Sequence, residues 1–160
     1  MVSDWDIEIR EASDKHELPY GLIRALIEHE SSGVASAIRY EPGFKTQYLD
    51  GKSWPTFGPN ISQATEVMQR ATSWGLMQIM GQTAREAGCR NEFISDLVLR
   101  PALGIDMGCR HLKKLEARYF SQHGWAGVIA AYNAGSPRFD RSGAFVNAAY
   151  VYRVRKTWSA

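Results

Sequence analysis

Glu30 is the residue of this sequence that is best placed to do chemistry. It lies near the end of the stretch Leu18–Gly33, LPYGLIRALIEHESSG, on the stripe that apolar residues form at three-and-four spacing. Glu30 occupies the position where the next core residue would stand. Burial disfavours the charged form of a carboxyl group, so a glutamate here can stay protonated near neutrality and act as a general acid. The alternative for a lone glutamate is an acid at a helix end whose side chain bends back to water.

One helix must position this carboxyl group. Pro19 suits a first helical turn, and Ser31, Ser32 and Gly33 mark the end of the helix. The residues predicted to face the core are Leu22, Ile23, Leu26 and Ile27.

A long irregular segment, Val34–Asn60, follows this helix. Its many prolines and glycines exclude a long helix, and loops of this length are uncommon in compact domains unless they are functional or disordered. Its aromatic content argues against disorder. We therefore expect an ordered wall over a ligand groove, with the aromatic residues Tyr40, Tyr48 and Trp54 in contact with the ligand. A helical return is predicted from the apolar residues Ile61, Ala64, Val67, Met68 and Ala71.

The rest of the chain is predicted to be helical. One helix spans 72–88, beginning near Ser73 and stopping at Gly88, and another opens at Pro101. Gly124 separates the latter from a helix that Asn133 and Gly135 end, and the last helix runs from about Gly143 to Trp158. The pattern predicts a mainly α fold over 1–160, in which the irregular segment holds at most a small β-hairpin.

The composition of the chain argues against several classes of function. The chain has 160 residues, 44% of them hydrophobic, which is enough for one core without disulfide or metal staples. The net charge is +2, with lysines and arginines dispersed, so no nucleic-acid surface is expected. No apolar run has the length of a membrane span, and no signal peptide is recognisable. Cys89 and Cys109 match no zinc pattern and are interpreted as reduced core residues, although a bridge between them remains open.

Four stretches taken together resemble a known family. They are HES at 29–31, SWGLMQIM at 73–80, AAYNAG at 130–135 and YVYRV at 150–154. Their order and separation resemble the soluble lytic transglycosylases, which share the lysozyme-like fold with goose-type lysozymes. The resemblance implies cleavage of the β-1,4 bond between N-acetylmuramic acid and N-acetylglucosamine in peptidoglycan. It also implies a 1,6-anhydro product and no metal or organic cofactor.

The same resemblance assigns residues. Glu30 matches the single catalytic acid, which protonates the glycosidic oxygen and later acts as base. Residues matching the substrate groove are Ser73, Met77, Gln78, Tyr132, Asn133 and Tyr150. Hydroxyls and amides suit acetamido groups, and aromatic or methionine surfaces suit the apolar faces of sugars. Met77 and Tyr132 could instead be core residues and Asn133 a helix cap, while Tyr150 or Tyr152 could orient Glu30 through its hydroxyl.

The segment between Glu30 and the GLMQ stretch is longer than the family pattern, and it carries the carboxylates Glu41 and Asp50. Glycosidases commonly use two carboxylates, whereas a lytic transglycosylase needs one, because the muramic acid C6 hydroxyl takes the place of water. Glu41 is the better candidate for a water-activating second carboxylate. Hydrolysis by a muramidase on the same fold is therefore the nearer alternative.

Other expectations concern partners and delivery. The expected partner is the glycan strand of peptidoglycan, with chitin a weaker candidate, and the alternative to an enzyme is a wall-binding module on the same fold. A monomer without membrane insertion is expected. Because no signal peptide is seen, the sequence favours synthesis in the cytoplasm and delivery to the wall as a phage endolysin released through a holin, or by a phage particle or secretion apparatus.

Overall fold

The fold is mainly helical, as predicted, and a computed structural model describes it over residues 1–159. A 3₁₀ turn, Val2–Trp5, opens the chain, and a π-helical turn, Lys45–Leu49, follows the third helix. The helices are α1 Asp6–His16, α2 Tyr20–Ser31, α3 Pro42–Phe44, α4 Gln63–Arg70, α5 Gly81–Glu86, α6 Asp96–Leu99, α7 Pro101–Ala134 and α8 Ala148–Trp158.

The main core lies between α1, α2, α7 and α8, where α1 packs on α7 and α2 packs on α8. Each helix supplies an apolar stripe, and burial of each large apolar side chain contributes about 1.5–3 kcal/mol. Among the buried side chains of this cluster are Ile9, Leu22, Ile23, Leu26, Ile27, Ile105, Leu112, Val128, Ile129 and Val154. The core stripe predicted for α2 is thus confirmed.

Helix α2 ends where the sequence indicates. Ser32 adopts a left-handed backbone with a φ of 52°, and its N–H donates to the carbonyl of Glu28. The Trp5 indole donates to the carbonyl of Gly33 at 2.9 Å, which fixes the chain directly after the helix. Glu30 therefore lies in the last turn of a well-anchored helix.

A three-stranded antiparallel sheet faces the end of α2. Its strands, in spatial order, are β1 Ile38–Tyr40, β2 Thr72–Trp74 and β3 Ile79–Met80. The prediction of a helix beginning near Ser73 is wrong for this reason. Gly75 and Gln78 have φ values of +69° and +46°, so the stretch between β2 and β3 forms a tight turn, and the helix begins only at Gly81.

Helix α4 forms where the return helix is predicted, but its buried face is not apolar. Glu66, Gln69 and Arg70 are buried, whereas Ala64 and Met68 are exposed. The predicted helical return is thus present, but of the apolar residues that predicted it only Ile61 and Ala71, which flank the helix, are buried. Polar residues can be buried here because Arg85 of α5 and backbone groups of the 89–94 segment provide partners for them.

The kink predicted at Gly124 is present, with a φ of 57° inside α7. The last helix begins at Ala148, not near Gly143. A small hairpin precedes α8, with a bridge between Phe139 and Phe145, and Gly143 lies in its turn with a φ of +80°. Of the helices in residues 1–159, none combines the length and apolarity needed to cross a membrane.

Candidate active site

Glu30 projects from the last turn of α2 into an open cleft between the helical core and the sheet. The hydroxyl of Tyr150 donates a hydrogen bond to Glu30 Oε1 at 2.5 Å. Burial raises the pKa of Glu30, and the Tyr150 hydrogen bond and the charge of Arg39 oppose that effect without cancelling it. Within residues 1–159, no cationic side chain lies at salt-bridge distance from this carboxyl group. Its surroundings therefore make this carboxyl group a weaker acid than a free glutamate.

Tyr150, rather than Tyr152, is the tyrosine of α8 that contacts Glu30. Tyr150 is buried, whereas Tyr152 is 66% exposed. Burial and the neighbouring Glu30 raise the pKa of Tyr150, so its phenol stays neutral and keeps its proton for the hydrogen bond. Tyr150 does not line the cleft. The structure therefore places it as an orienting partner of Glu30 and not at a groove position.

The cleft has a volume of about 550 Å³. Five of the residues assigned to the site from the sequence, together with the candidate second carboxylate Glu41, line it. The assigned residues that line it are Glu30, Ser73, Gln78, Tyr132 and Asn133.

Met77 does not belong to this group, and its predicted place along the groove is wrong. Its side chain is fully buried in the main core, against Gly108 of α7. A Cβ atom at Gly108 would lie 2.4 Å from Met77 Sδ, so the glycine provides the space that the methionine fills. Met80, three residues later, lines the cleft instead.

Two hydroxyl groups fix the turn between β2 and β3 to the helices. Ser31, next to Glu30, donates to the carbonyl of Leu76 at 2.8 Å, and Tyr132 donates to the carbonyl of Met77 at 2.8 Å. The turn is thereby tied both to the end of α2 and to α7. Ser31 was not assigned a role from the sequence, although its place beside the candidate acid in the HES stretch is a usable signal.

Gln78 is held by backbone groups and not by Glu30. Its Nε2 donates to the carbonyls of Ala37 and Gly75, both at 3.0 Å. These bonds join the inserted segment to the turn between β2 and β3. Ser73 is buried, and its hydroxyl donates to Met80 Sδ at 3.1 Å.

The far wall of the cleft comes from α7 and the hairpin after it. Asn133 is exposed, and its Oδ1 accepts a hydrogen bond from Asn147 at 3.0 Å. His111 packs against Tyr132, with ring centroids 5.6 Å apart. Burial lowers the pKa of His111 to about 4, so its imidazole is neutral at pH 7. Arg138 completes this wall.

The inserted segment forms the near wall, as expected, and Tyr48 is the one of its three predicted aromatic residues that lines the cleft. Those of its side chains that line the cleft are Arg39, Glu41, Phe44 and Tyr48. Tyr40 and Trp54 do not line it, so their predicted contact with a ligand in this cleft is wrong. The Trp54 indole instead donates to the carbonyl of Leu49 at 3.1 Å, and the Arg70 guanidinium stacks on its ring.

The two carboxylates of the inserted segment differ in position. Glu41 lines the cleft and forms an ion pair with Arg39. Asp50 lies outside the cleft and is paired with Lys45 at 2.5 Å. Glu41 is therefore the second carboxyl group that reaches the site.

Several lining residues were not singled out in the sequence. Arg39, Thr83, His111 and Arg138 carry no motif signal, because each depends on which elements meet at the cleft. His111 has the one usable hint, since it is a polar residue directly beside the apolar stripe of α7. His, Cys, Asp and Glu side chains of the described chain form no group of three that could hold a metal ion.

Comparison with known proteins gives one family. The transglycosylase SLT domain family model matches residues 8–149. The match spans α2, the sheet, α7 and the start of α8, and so includes every element that builds the cleft. No solved structure matches the chain significantly.

Proposed function

Because the chain belongs to the transglycosylase SLT domain family, we propose that it is a lytic transglycosylase that uses Glu30 as its acid and base. The family match supports a peptidoglycan-acting function of the lytic transglycosylase type. The bond to be cleaved is the β-1,4 bond between N-acetylmuramic acid and N-acetylglucosamine. The observation that carries the proposal is the environment of Glu30, a carboxyl group in the cleft with a raised pKa and a phenol, not a cation, as its partner.

The first step requires a proton donor. Glu30 donates its proton to the glycosidic oxygen as the bond from that oxygen to the anomeric carbon breaks, and the oxygen leaves as the 4-hydroxyl of N-acetylglucosamine. The acetamido carbonyl oxygen of the muramic acid bonds to the anomeric carbon in its place. The raised pKa of Glu30 suits this step, because the resting enzyme must hold the proton that it donates.

The second step requires a proton acceptor. The C6 hydroxyl oxygen attacks the anomeric carbon and displaces the acetamido oxygen, while the Glu30 carboxylate accepts the hydroxyl proton. The product carries a 1,6-anhydro bond, no water is consumed, and Glu30 is protonated again. Tyr150 remains bonded to Oε1 and holds the carboxyl group in one orientation during both steps.

Glu41 is the observation that favours the second candidate, a muramidase. It lines the cleft and could activate water. Its ion pair with Arg39 argues against that role, because the guanidinium already occupies one of the two carboxylate oxygens that would have to bind the water. We therefore rank hydrolysis second.

Product analysis of purified sacculi digested in H₂¹⁸O tests this proposal. We expect anhydromuramyl products that are lighter than reducing-end products by one water molecule and that contain no ¹⁸O. The same products are expected from Glu41→Gln and from the control Asp50→Asn, a carboxylate of the same segment outside the cleft. Reducing ends that carry ¹⁸O and disappear in Glu41→Gln would identify a muramidase and overturn the proposal.

A further inference from the structure

The cleft that holds Glu30 continues along α7 into a second cavity of about 250 Å³. The two cavities share the lining residues Thr83, His111 and Gly135, so they form one groove. We call the second cavity the basic extension, after its charged lining residues Glu86, Arg110, Lys114 and Arg118.

Positive charge dominates this extension. Arg110, Lys114 and Arg118 lie four residues apart on α7, and this spacing places them on one face of the helix. Glu86 of α5 is the one acidic residue of the lining, and it accepts a hydrogen bond from Gln82 at 2.8 Å. The chain as a whole has a net charge of only +2, so this face is markedly more basic than the average.

Two of the three cations have no acidic partner in the part of the chain that the structure describes. Arg110 is paired with Asp106 at 2.9 Å, whereas neither Lys114 nor Arg118 has a carboxylate within 4 Å among residues 1–159. The charges of Lys114 and Glu86 also act on His111 in opposite directions, the lysine lowering and the glutamate raising its pKa. These charge effects agree with the position of Lys114 and Glu86 near His111, which lines both cavities.

Charge is distributed differently in the cleft around Glu30. Arg39 and Glu41 neutralise each other there, and His111 is neutral at pH 7. Arg138, which lines the far wall, has no acidic partner in the described chain. The extension therefore holds two cations without an acidic partner, Lys114 and Arg118, whereas the cleft holds one, Arg138.

We propose that the basic extension binds the carboxylates of the peptide stem carried by muramic acid, on the same glycan strand that Glu30 cleaves. This inference rests on the proposed function. Uncharged sugar rings give no reason for a row of cations, whereas a stem peptide brings anionic groups to a site beside the glycan. From His111 to Arg118 the helix rises about 10 Å, which matches about three extended peptide residues.

The test measures affinity for two forms of one soluble glycan oligomer, one with its stem peptides and one from which an amidase has removed them. The lactyl carboxylates that the amidase exposes are converted to neutral amides, so that the second form carries no new charge. All proteins carry Glu30→Gln, so binding is measured without turnover. We expect the parent to bind the peptide-bearing oligomer about fivefold more tightly, since each exposed ion pair contributes modestly. Adding Lys114→Gln and Arg118→Gln should reduce this preference to near one, and high ionic strength should have the same effect.

Arg155→Gln with Lys156→Gln is the matched control. These exposed α8 residues lie outside the groove, and the pair removes the same two charges. The control should keep the fivefold preference. Equal affinity of the parent for both oligomers, a preference retained without Lys114 and Arg118, or an equal loss in the control would overturn the inference. Failure of the proposed function would be seen differently, as cleavage products formed by Glu30→Gln.

Discussion

Glu30 and Glu66 are glutamates on two helices of the same protein, and their surroundings are opposite. Glu66 is fully buried in α4, and Arg85 of α5 donates to both of its carboxylate oxygens at 2.9 and 2.8 Å. Arg70 Nε lies 2.8 Å from Glu66 Oε1, although it is not aligned for a hydrogen bond. Glu30 has a neutral phenol as its partner and opens onto the cleft.

The difference is one of charge compensation. Arg85 also donates to the carbonyl of Asn91 at 2.6 Å and stacks on Phe57 at 4.5 Å, and Arg70 stacks on Trp54 at 4.7 Å. The Glu66 cluster thereby connects the inserted segment to α4 and α5. A buried carboxylate with two guanidinium partners stabilises the fold, whereas a partly buried carboxyl group without such a partner is available to exchange a proton.

Glu30→Gln should give the largest effect on activity. The amide keeps the size and the Tyr150 hydrogen bond but has no proton to donate, so turnover of sacculi should fall by about 10²–10⁴-fold. The pKa of Glu30 is raised in the folded state, so its stabilising contribution is complete at low pH and is lost as pH rises through that pKa. The melting temperature of Glu30→Gln relative to wild type should therefore be higher at pH 8 than at pH 4.

Glu28→Gln is the matched control for that variant, because Glu28 is an exposed glutamate two residues away on the same helix. It should leave both turnover and melting temperature near wild type. Near-normal clearance of sacculi by Glu30→Gln would contradict the assignment.

Glu66→Gln should lower stability strongly and change turnover little, the reverse of Glu30→Gln. It leaves two buried guanidinium groups without a carboxylate, which costs about 3–5 kcal/mol, or roughly 10 °C in melting temperature for a chain of this size. Below the melting transition the turnover should change little, because Glu66 does not line the cleft. Urea unfolding and sacculus clearance measure the two quantities. A variant of normal stability would show that the arginine cluster is not structurally important.

His111 is a partly buried base, in contrast to the two glutamates. Its pKa is about 4 in the folded protein, against 6.5 for a free imidazole, so the unfolded chain binds the proton more tightly. The stability that His111 contributes is present above pH 6.5 and is lost as pH falls toward 4, by up to about 3 kcal/mol. Urea unfolding at pH 7 and at pH 5 should show a smaller difference for His111→Gln than for wild type. Equal differences would contradict this interpretation.

Of the variants at Glu30, Glu66, His111 and Tyr150, Tyr150→Phe should have the smallest effect. Loss of the hydroxyl removes the bond that orients Glu30, and we expect turnover to fall about tenfold. Because that bond lowers the pKa of Glu30, its loss should move the alkaline limb of the pH profile to higher pH. Tyr152→Phe makes the same chemical change at an exposed position and should alter neither quantity. A tenfold loss without a shift of the pH profile would indicate a structural role for Tyr150.

The helical half of the fold was predictable, because apolar residues at three-and-four spacing face one core. This is the case for α2, and it places Glu30 correctly at the end of that helix. The sheet was not predictable in the same way. The run Leu76, Met77 and Met80 keeps helical spacing, but the positive φ values of Gly75 and Gln78 turn the chain. The local sequence pattern does not reveal that the inserted segment provides β1 as a pairing partner for β2.

The residues of the candidate site were also predictable only in part. Residues on motif stretches, such as Ser73 and Asn133, reach the cleft, whereas Met77 of the same stretches is core. Arg39 and His111 come together only through tertiary packing, so no spacing signals them. The Glu66 cluster was missed because a buried polar helix face has no hydrophobic periodicity.

The titration of Glu30 itself tests the central claim most directly. Carboxyl ¹³C NMR of glutamate-labelled protein, with the Glu30 resonance assigned from its absence in Glu30→Gln, gives the pKa of this group alone. We expect a pKa above the ordinary value of 4.5, because burial outweighs the Tyr150 hydrogen bond and the charge of Arg39. A pKa at or below 4.5 would mean that Glu30 is ionised in the resting enzyme, and it would contradict its role as the proton donor.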